Sequence, residues 1–218
     1  SLFGWLSWIQ LIAILAVGPA LAVGTIATER ERRTIEYLFA TDLSNIEIIL
    51  GKTFARLALL IKLLLVAMPV LFLIRMLGGI PASLLTGAFL VAASTAVAIT
   101  SFSVSVSVWS QRSRDAMTRV YLLLIVFAVT PALLHAMSWG AENILVVSEA
   151  LREAAEFLAS LNPLVVFGDS FGNQFSAGVN FDFTPLLERA GWHAVISVGS
   201  LALATYAVRR VQLRDSGR

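Results

Sequence analysis

The 218-residue chain has no cysteine. That excludes a disulfide framework, a thiolate metal site and a cysteine nucleophile. Histidine is almost as scarce. His135 and His193 are the only two, and 58 positions apart they give no metal-ligand spacing. Charge is scarce as well: 14% of residues are charged, against 58% hydrophobic, and the mean hydropathy is +0.83. Soluble domains carry about 25% charged residues, so a soluble core of this composition lacks the polar surface to cover it. The net charge of +2 is too small to indicate nucleic acid as a partner. Missing too are the HExxH zinc helix, the GxSxG nucleophile turn and the oxygen-rich spacing of an EF-hand loop. The expectation is a protein that is not itself an enzyme and binds no metal.

What the chain has instead is long apolar blocks. They cover residues 2–27, 57–77, 82–109, 119–138 and 190–208. A hydrocarbon core of ~30 Å asks for about 20 apolar residues per helix, so the sequence predicts an all-α membrane protein with five spans. Between them lie a polar segment, 28–56, and a second one, 139–189. If the first span ends at Glu29, the flanks alternate between two sides. Arg30, Arg32, Arg33, Lys52, Arg56, Arg112, Arg114, Arg119, Arg209, Arg210, Arg214 and Arg218 fall on one side. Only Arg75, Arg152 and Arg189 fall on the other. The positive-inside rule makes the first side cytoplasmic and the protein a multi-pass resident of the cell (plasma or inner) membrane. Trp5, Trp8, Trp139 and Trp192 then sit at outer ends, and Trp109, Tyr121 and Tyr206 at inner ends, as interfacial rings do. An odd number of spans with an outer N-terminus implies an additional helix upstream of Ser1.

The stretch Asn45–Thr53, NIEIILGKT, ends like a phosphate-binding loop. Such a loop also needs a glycine five residues before Gly51, and that position holds Ile46. No nucleotide or other cofactor is expected on this chain. Within 28–56 two Ser/Thr-x-x-Glu patterns, Thr28–Glu31 and Ser44–Glu47, read as capping boxes opening two short helices. Ile35, Leu38, Phe39, Leu43, Ile46, Ile49 and Leu50 recur at helical steps, opposite Glu29, Arg30, Glu31, Arg32, Arg33 and Glu36, marking an amphipathic pair. From periodicity alone, this is a helix lying on the membrane surface.

The same segment carries a resemblance. Pro19, Gly24, Glu29, Arg30, Thr34, Glu36, Leu38, Thr41, Leu43, Ser44, Gly51 and Lys52 stand in the order and spacing of the signature of ABC-2 (type-2) transmembrane subunits of ATP-binding-cassette exporters. Arg33 stands where that signature has glycine, and Asp42 where it has proline. Ser107, Gln111, Ala116 and Met117 in SVSVWSQRSRDAMTRVYLLL, and Leu161–Leu164 (LNPL), extend the resemblance over nearly the whole chain. It implies a six-helix fold whose first helix precedes this sequence, and a permease that moves substrate by alternating access. ATP and Mg would be bound by a separate ABC ATPase subunit. It also implies a second membrane subunit, identical or not. Residues 28–56 become the coupling region, with Glu29, Arg30, Arg33, Thr34, Glu36, Tyr37, Leu38 and Thr41 contacting the ATPase. The alternative is a regulatory membrane protein that transmits an ATPase's state to an envelope partner without transport. The outer segment, under fifty residues, is small for a partner-binding domain.

Several further features stand beside the resemblance. Lys62, inside the second span, reads as a snorkelling side chain or as a contact to substrate or partner. Ser94, Ser101 and Ser105 share one helical face, and Ser103, Ser107 and Ser110 another; small hydroxyl residues so spaced mark close helix packing or, for Ser101 and Ser105, a substrate path. Pro19, Pro69 and Pro131 lie inside spans as hinges or as tolerated kinks. In the outer segment Val147, Leu151, Ala154, Phe157, Leu158 and Leu161 form a stripe opposite Glu149, Arg152, Glu153 and Glu156, predicting an amphipathic helix. The GDSFGNQFSAG that follows is turn-rich and reads as a plain connector or, as the alternative, a lid.

Overall fold

In lipid a backbone has no water to bond, so apolar runs of this length resolve into helices even where Val, Ile and Ser alternate as in a strand. The structure, a computed structural model, describes residues 2–31, 44–140, 147–172 and 183–215. Among them it is all-α: α1 Leu2–Glu31, α2 Asn45–Gly78, α3 Ala82–Trp109, α4 Ser113–Gly140, α5 Val147–Leu161, α6 Pro163–Gly172 and α7 Thr184–Asp215. Four of these, α1, α2, α3 and α7, are long and apolar enough to cross a membrane. The remaining predicted span, 119–138, lies within α4.

Local chemistry sets the breaks. Ser44 and Glu47 form the predicted capping box: the Ser44 hydroxyl accepts from Glu47 N, and the Glu47 carboxylate accepts from Ser44 N at 2.7 Å. The helix it opens is not short, however. It continues for 34 residues through Gly51 to Gly78, because one glycine among helix-tolerant residues costs only about 1 kcal/mol. α2 ends at Gly79, whose φ of 65° no β-carbon-bearing residue adopts cheaply. The Gly79 N–H donates to the Arg75 carbonyl, and Arg75 Nε reaches forward to Ile80 O at 3.1 Å. Pro81 then starts α3.

Thr28–Glu31 does not open a helix: α1 runs through it unbroken. The GDSFG part of the expected connector is likewise helical, as the end of α6. α5 has the expected bounds, but its inward face is Ala155, Leu158 and Leu161. Ala154 is exposed, and Phe157, half exposed, meets the Trp192 ring edge-on at 5.7 Å.

α3 is the central helix, packed most extensively on α7 and α1 and then on α2. The core forms layers along the bundle. At one end Phe3 and Leu11 of α1, Leu71 of α2, Leu84 and Leu85 of α3, Phe167 of α6 and Leu186 of α7 cluster. At the other, Ile26, Ile49, Val104, Val108 and Val208 do so. The start of α1, the end of α2 and the starts of α3 and α7 therefore share one end, the alternation read from the arginine distribution. Between the layers α1 crosses α3 at Gly18. A β-carbon there would lie 3.0 Å from Ile99 Cγ2 and 3.4 Å from Leu60 Cδ1, so any larger residue has to push these neighbours aside and glycine gives the closest approach. The outward faces are apolar. Phe54, Leu65, Val66, Leu73, Met76 and Leu77 of α2 are all exposed, as lipid-facing or subunit-facing positions are.

Candidate functional site

Two regions carry polar groups in an otherwise apolar bundle. The first lies where α1, α2, α3 and α4 converge at the end holding the arginines. Lys52 of α2 forms an ion pair with Glu29 of α1 and also donates to Thr25 O at 3.3 Å. Its side chain is 17% exposed and that of Glu29 34%. Lys52 thus closes a joint between the two helices that flank the 32–43 segment. Thr28 and Glu31, rather than capping their own helix, converge on Ser113 at the start of α4. The Thr28 and Ser113 hydroxyls are 2.8 Å apart, and Ser113 N donates to Glu31 Oε2 at 3.3 Å. A carboxylate from one helix so fills an orphan donor at the N-terminus of another.

Ser107 makes the deepest of these contacts. Its hydroxyl donates to Val23 O and accepts from Ile26 N at 3.2 Å and Ala27 N at 2.9 Å. Thr25 meanwhile donates to Ala22 O. A side chain from α3 is therefore inserted into the hydrogen-bond ladder of α1, a recognised cause of local bending, one turn beyond Pro19.

The second region is a partly open cavity of about 640 Å³ lined by α1, α3, α4, α7 and the α5–α6 junction. It exists because α4 packs on α1 and α5 but only lightly on α3. Its walls are apolar, with Ile99, Phe102, Leu124 and Ile196 among them. Its few polar groups have defined partners. Asn162, buried, accepts from Leu164 N at 3.0 Å, capping α6 with Pro163 in the first helical position. Its Nδ2 donates to Phe127 O and Ala128 O of α4, each at 3.2 Å. Phe127 O is the acceptor that the missing N–H of Pro131 leaves free. The Tyr121 hydroxyl donates to Ala16 O, one turn before Pro19 inside α1. His193, buried, bridges Leu161 O at 3.1 Å and the Ser94 hydroxyl at 3.2 Å. A carbonyl only accepts, so Nε2 carries the proton, while the Ser94 hydroxyl, 3.0 Å from Val91 O, has a single proton to share between that carbonyl and Nδ1. Thr95 is different. It is 1% exposed and lines the cavity, and its hydroxyl has no hydrogen-bond partner among the described residues.

Of the residues expected to contact an ATPase, Glu29 is paired with Lys52, and Arg30 lies in the last turn of α1. Arg33, Thr34, Glu36, Tyr37, Leu38 and Thr41 fall outside the described residues. Ser101 and Ser105 are buried on α3. Lys62 is exposed on α2, about 200° around the helix from the buried Leu60, so it points away from the bundle. Among the described residues no group of histidine and acidic side chains is placed to hold a metal. Gly51 and Lys52 lie inside a helix, where backbone amides are committed to the ladder and unable to cradle a phosphate.

The sequence reading missed the roles of Asn162, His193 and Tyr121. Only the Asn-Pro pair, together with a proline inside the preceding span, offered a signal. Residues 8–210 match the family model described as ABC-2 family transporter protein. Among curated proteins, none matches the chain.

Proposed function

The chain belongs to the ABC-2 family of transporter proteins, and from that premise we propose that it is the permease subunit of an exporter driven by a separate ABC ATPase. At the coarser level it is a multi-pass membrane component of an ABC transporter. In the proposal α4 is the fifth span, residues 28–56 face the cytoplasm of a cell-membrane protein, and ATP with Mg is held by the ATPase. Glu29, Arg30, Arg33, Thr34, Glu36, Tyr37, Leu38 and Thr41 form the contact.

The observation that supports this most is the Glu29–Lys52 joint together with the Thr28–Ser113–Glu31 cluster. The segment proposed to dock on the ATPase leaves and re-enters the bundle at two residues that are ion-paired to each other. It is thereby tied to α1, α2 and α4 at once. A displacement of that segment moves three helices rather than a loop, which is what coupling ATP-driven closure to helix re-orientation requires. Charged docking residues suit the task, because they hold register while the two surfaces rock.

A second membrane subunit, identical or not, completes the permease. Lys62 points outward, so its contact with substrate would run through the interface with that subunit. Ser101 and Ser105 would meet substrate only when the bundle opens. The experiment is co-purification of the tagged full-length protein from mild-detergent membranes, with mass spectrometry of its companions. An ABC ATPase should accompany the wild type and be depleted in an Arg30→Glu/Glu36→Arg variant. Absence of any such ATPase, under conditions that preserve known complexes, would sink the proposal.

A further inference from the structure

Lys62 stands deep in the membrane. It lies between Leu60 and Leu64 of α2, which cluster with Ile14 of α1 and with Ala92 and Ala96 of α3. Those three are close to the middle of the spans Leu2–Glu29 and Ala82–Trp109. Along α2 itself, Ile49 marks the layer that holds Ile26 and Val208. Lys62 is thirteen residues further in, about 20 Å. Its side chain is exposed on the outward face, and among the described residues nothing pairs with it.

Snorkelling does not resolve this placement. A four-carbon stem carries an ammonium about 6 Å, whereas the headgroups begin about 15 Å from the middle of the hydrocarbon core. A lipid phosphate is out of reach, and an ammonium left in hydrocarbon is strongly disfavoured. The position therefore calls for an anion at the same depth. A second copy of this sequence does not bring one, since all fourteen acidic residues fall outside the five apolar blocks. Nor does a molecule held in the cavity, which no residue of α2 lines.

The surface around Lys62 suits a neighbouring helix. One and two turns back on the same face stand Ala58 and Ala55, both exposed, and small residues let another backbone approach. Two turns forward stands Pro69, also exposed, which has no N–H to give Leu65 O. In membrane helices such a carbonyl is met by groups of an adjacent helix. A hydrocarbon chain supplies neither an anion nor a donor.

We infer that this face of α2 is covered by a transmembrane helix of a different chain, with an aspartate or glutamate at mid-depth that pairs with Lys62. Each charge is then the other's reason to be in the membrane. Only the membrane crossing of α1–α3 is needed for this, and nothing of the ATPase coupling; an ATPase that fails to co-purify leaves the pair standing.

The test is photo-cross-linking of the full-length protein in native membranes. Benzoylphenylalanine is placed at Ala58 or Val66 on this face, and at the exposed Val198 of α7 for comparison. Ala58 and Val66 should give one discrete adduct that Val198 does not. Its foreign peptide should be an apolar stretch with Asp or Glu within about two turns of the linked residue. Lys62→Arg should keep the adduct, and Lys62→Glu should cut it at least about ten-fold. Changing the mapped acid to lysine in the Lys62→Glu background should restore it. Lipid or other small-molecule adducts alone overturn the inference, as does a foreign peptide without an acidic residue. A peptide from this protein's own sequence overturns the assignment to a different chain, and an adduct indifferent to Lys62→Glu overturns the ion pair. Should Lys62→Glu fail to accumulate, the identity of the peptide and the loss expected for Lys62→Leu, a residue at ease in lipid, decide on their own.

Discussion

Asn162 supplies the donor that Pro131 lacks. Its amide reaches Phe127 O at 3.2 Å, the carbonyl four residues before the proline, and so closes from outside the gap a proline leaves in a helix. The loop that separates α5 from α6 is thereby a structural part of α4.

The pair predicts non-additivity. Asn162→Leu should cost about 1–3 kcal/mol, because it leaves buried carbonyls without a partner. In a Pro131→Ala background the restored N–H takes back Phe127 O, and the same substitution should cost markedly less. Thermal unfolding of the four proteins of this cycle in detergent checks it. Equal losses in both backgrounds would mean that the amide does not compensate for the proline.

Glu29→Lys and Lys52→Glu should each loosen the joint between α1 and α2, and each should deplete a co-purifying ATPase. The double exchange restores opposite charges at the same positions and should recover most of the association. A coupling of about 1–2 kcal/mol between the two sites is expected, the size usual for directly contacting partners. Failure of the double exchange to improve on either single would show that the ion pair is incidental.

Gly18 marks a contact with no spare room. Gly18→Leu should destabilise the bundle by about 1–3 kcal/mol or prevent its folding, and Gly18→Ala should cost less. Since the nearest obstruction is Ile99 Cγ2 at 3.0 Å, Ile99→Ala should relieve part of the Gly18→Ala defect. Additive losses would place the strain elsewhere.

Ser107→Ala removes the hydroxyl inserted into α1 and should cost about 1–2 kcal/mol. Hydrogen exchange gives the sharper readout. Protection of the Ile26 and Ala27 amides should change, whereas that of α7 should not. A uniform change across the bundle would indicate general destabilisation rather than a local repair of the ladder.

Apolar length and the arginine distribution suffice to read the bundle and its alternation, because each span satisfies its backbone internally and answers to the bilayer alone. The existence and extent of α5 were legible from its period, but its inward face was not: Ala155 rather than Ala154 is buried. Thr28–Glu31 misled because a capping box is recognised by local spacing, whereas whether a helix is interrupted there depends on what surrounds it; here both side chains found Ser113, 82 or more positions away. Ser44 kept its box, since among the described residues its side chain bonds only Glu47. The cavity was not legible at all. It depends on how far α4 stands from α3, and Thr95 looks in the sequence like any other threonine of a small-residue stripe. The residues singled out at 33–41 lie outside the described residues, so their expected roles rest on the family.

The unbroken length of α2 has a consequence for the partner's geometry. Thirty-four residues span about 51 Å, against a hydrocarbon thickness of about 30 Å. The Gly79 turn closes one end, and at the other Ile49 packs in one layer with Ile26, Val104 and Val208. In the proposed coupling α2 is then a strut, based in the bundle, whose first turns set the distance and the angle at which the adjoining segment meets its partner. Deleting two residues between Lys52 and Leu57 would shorten the strut by about 3 Å and turn its tip by about 200°.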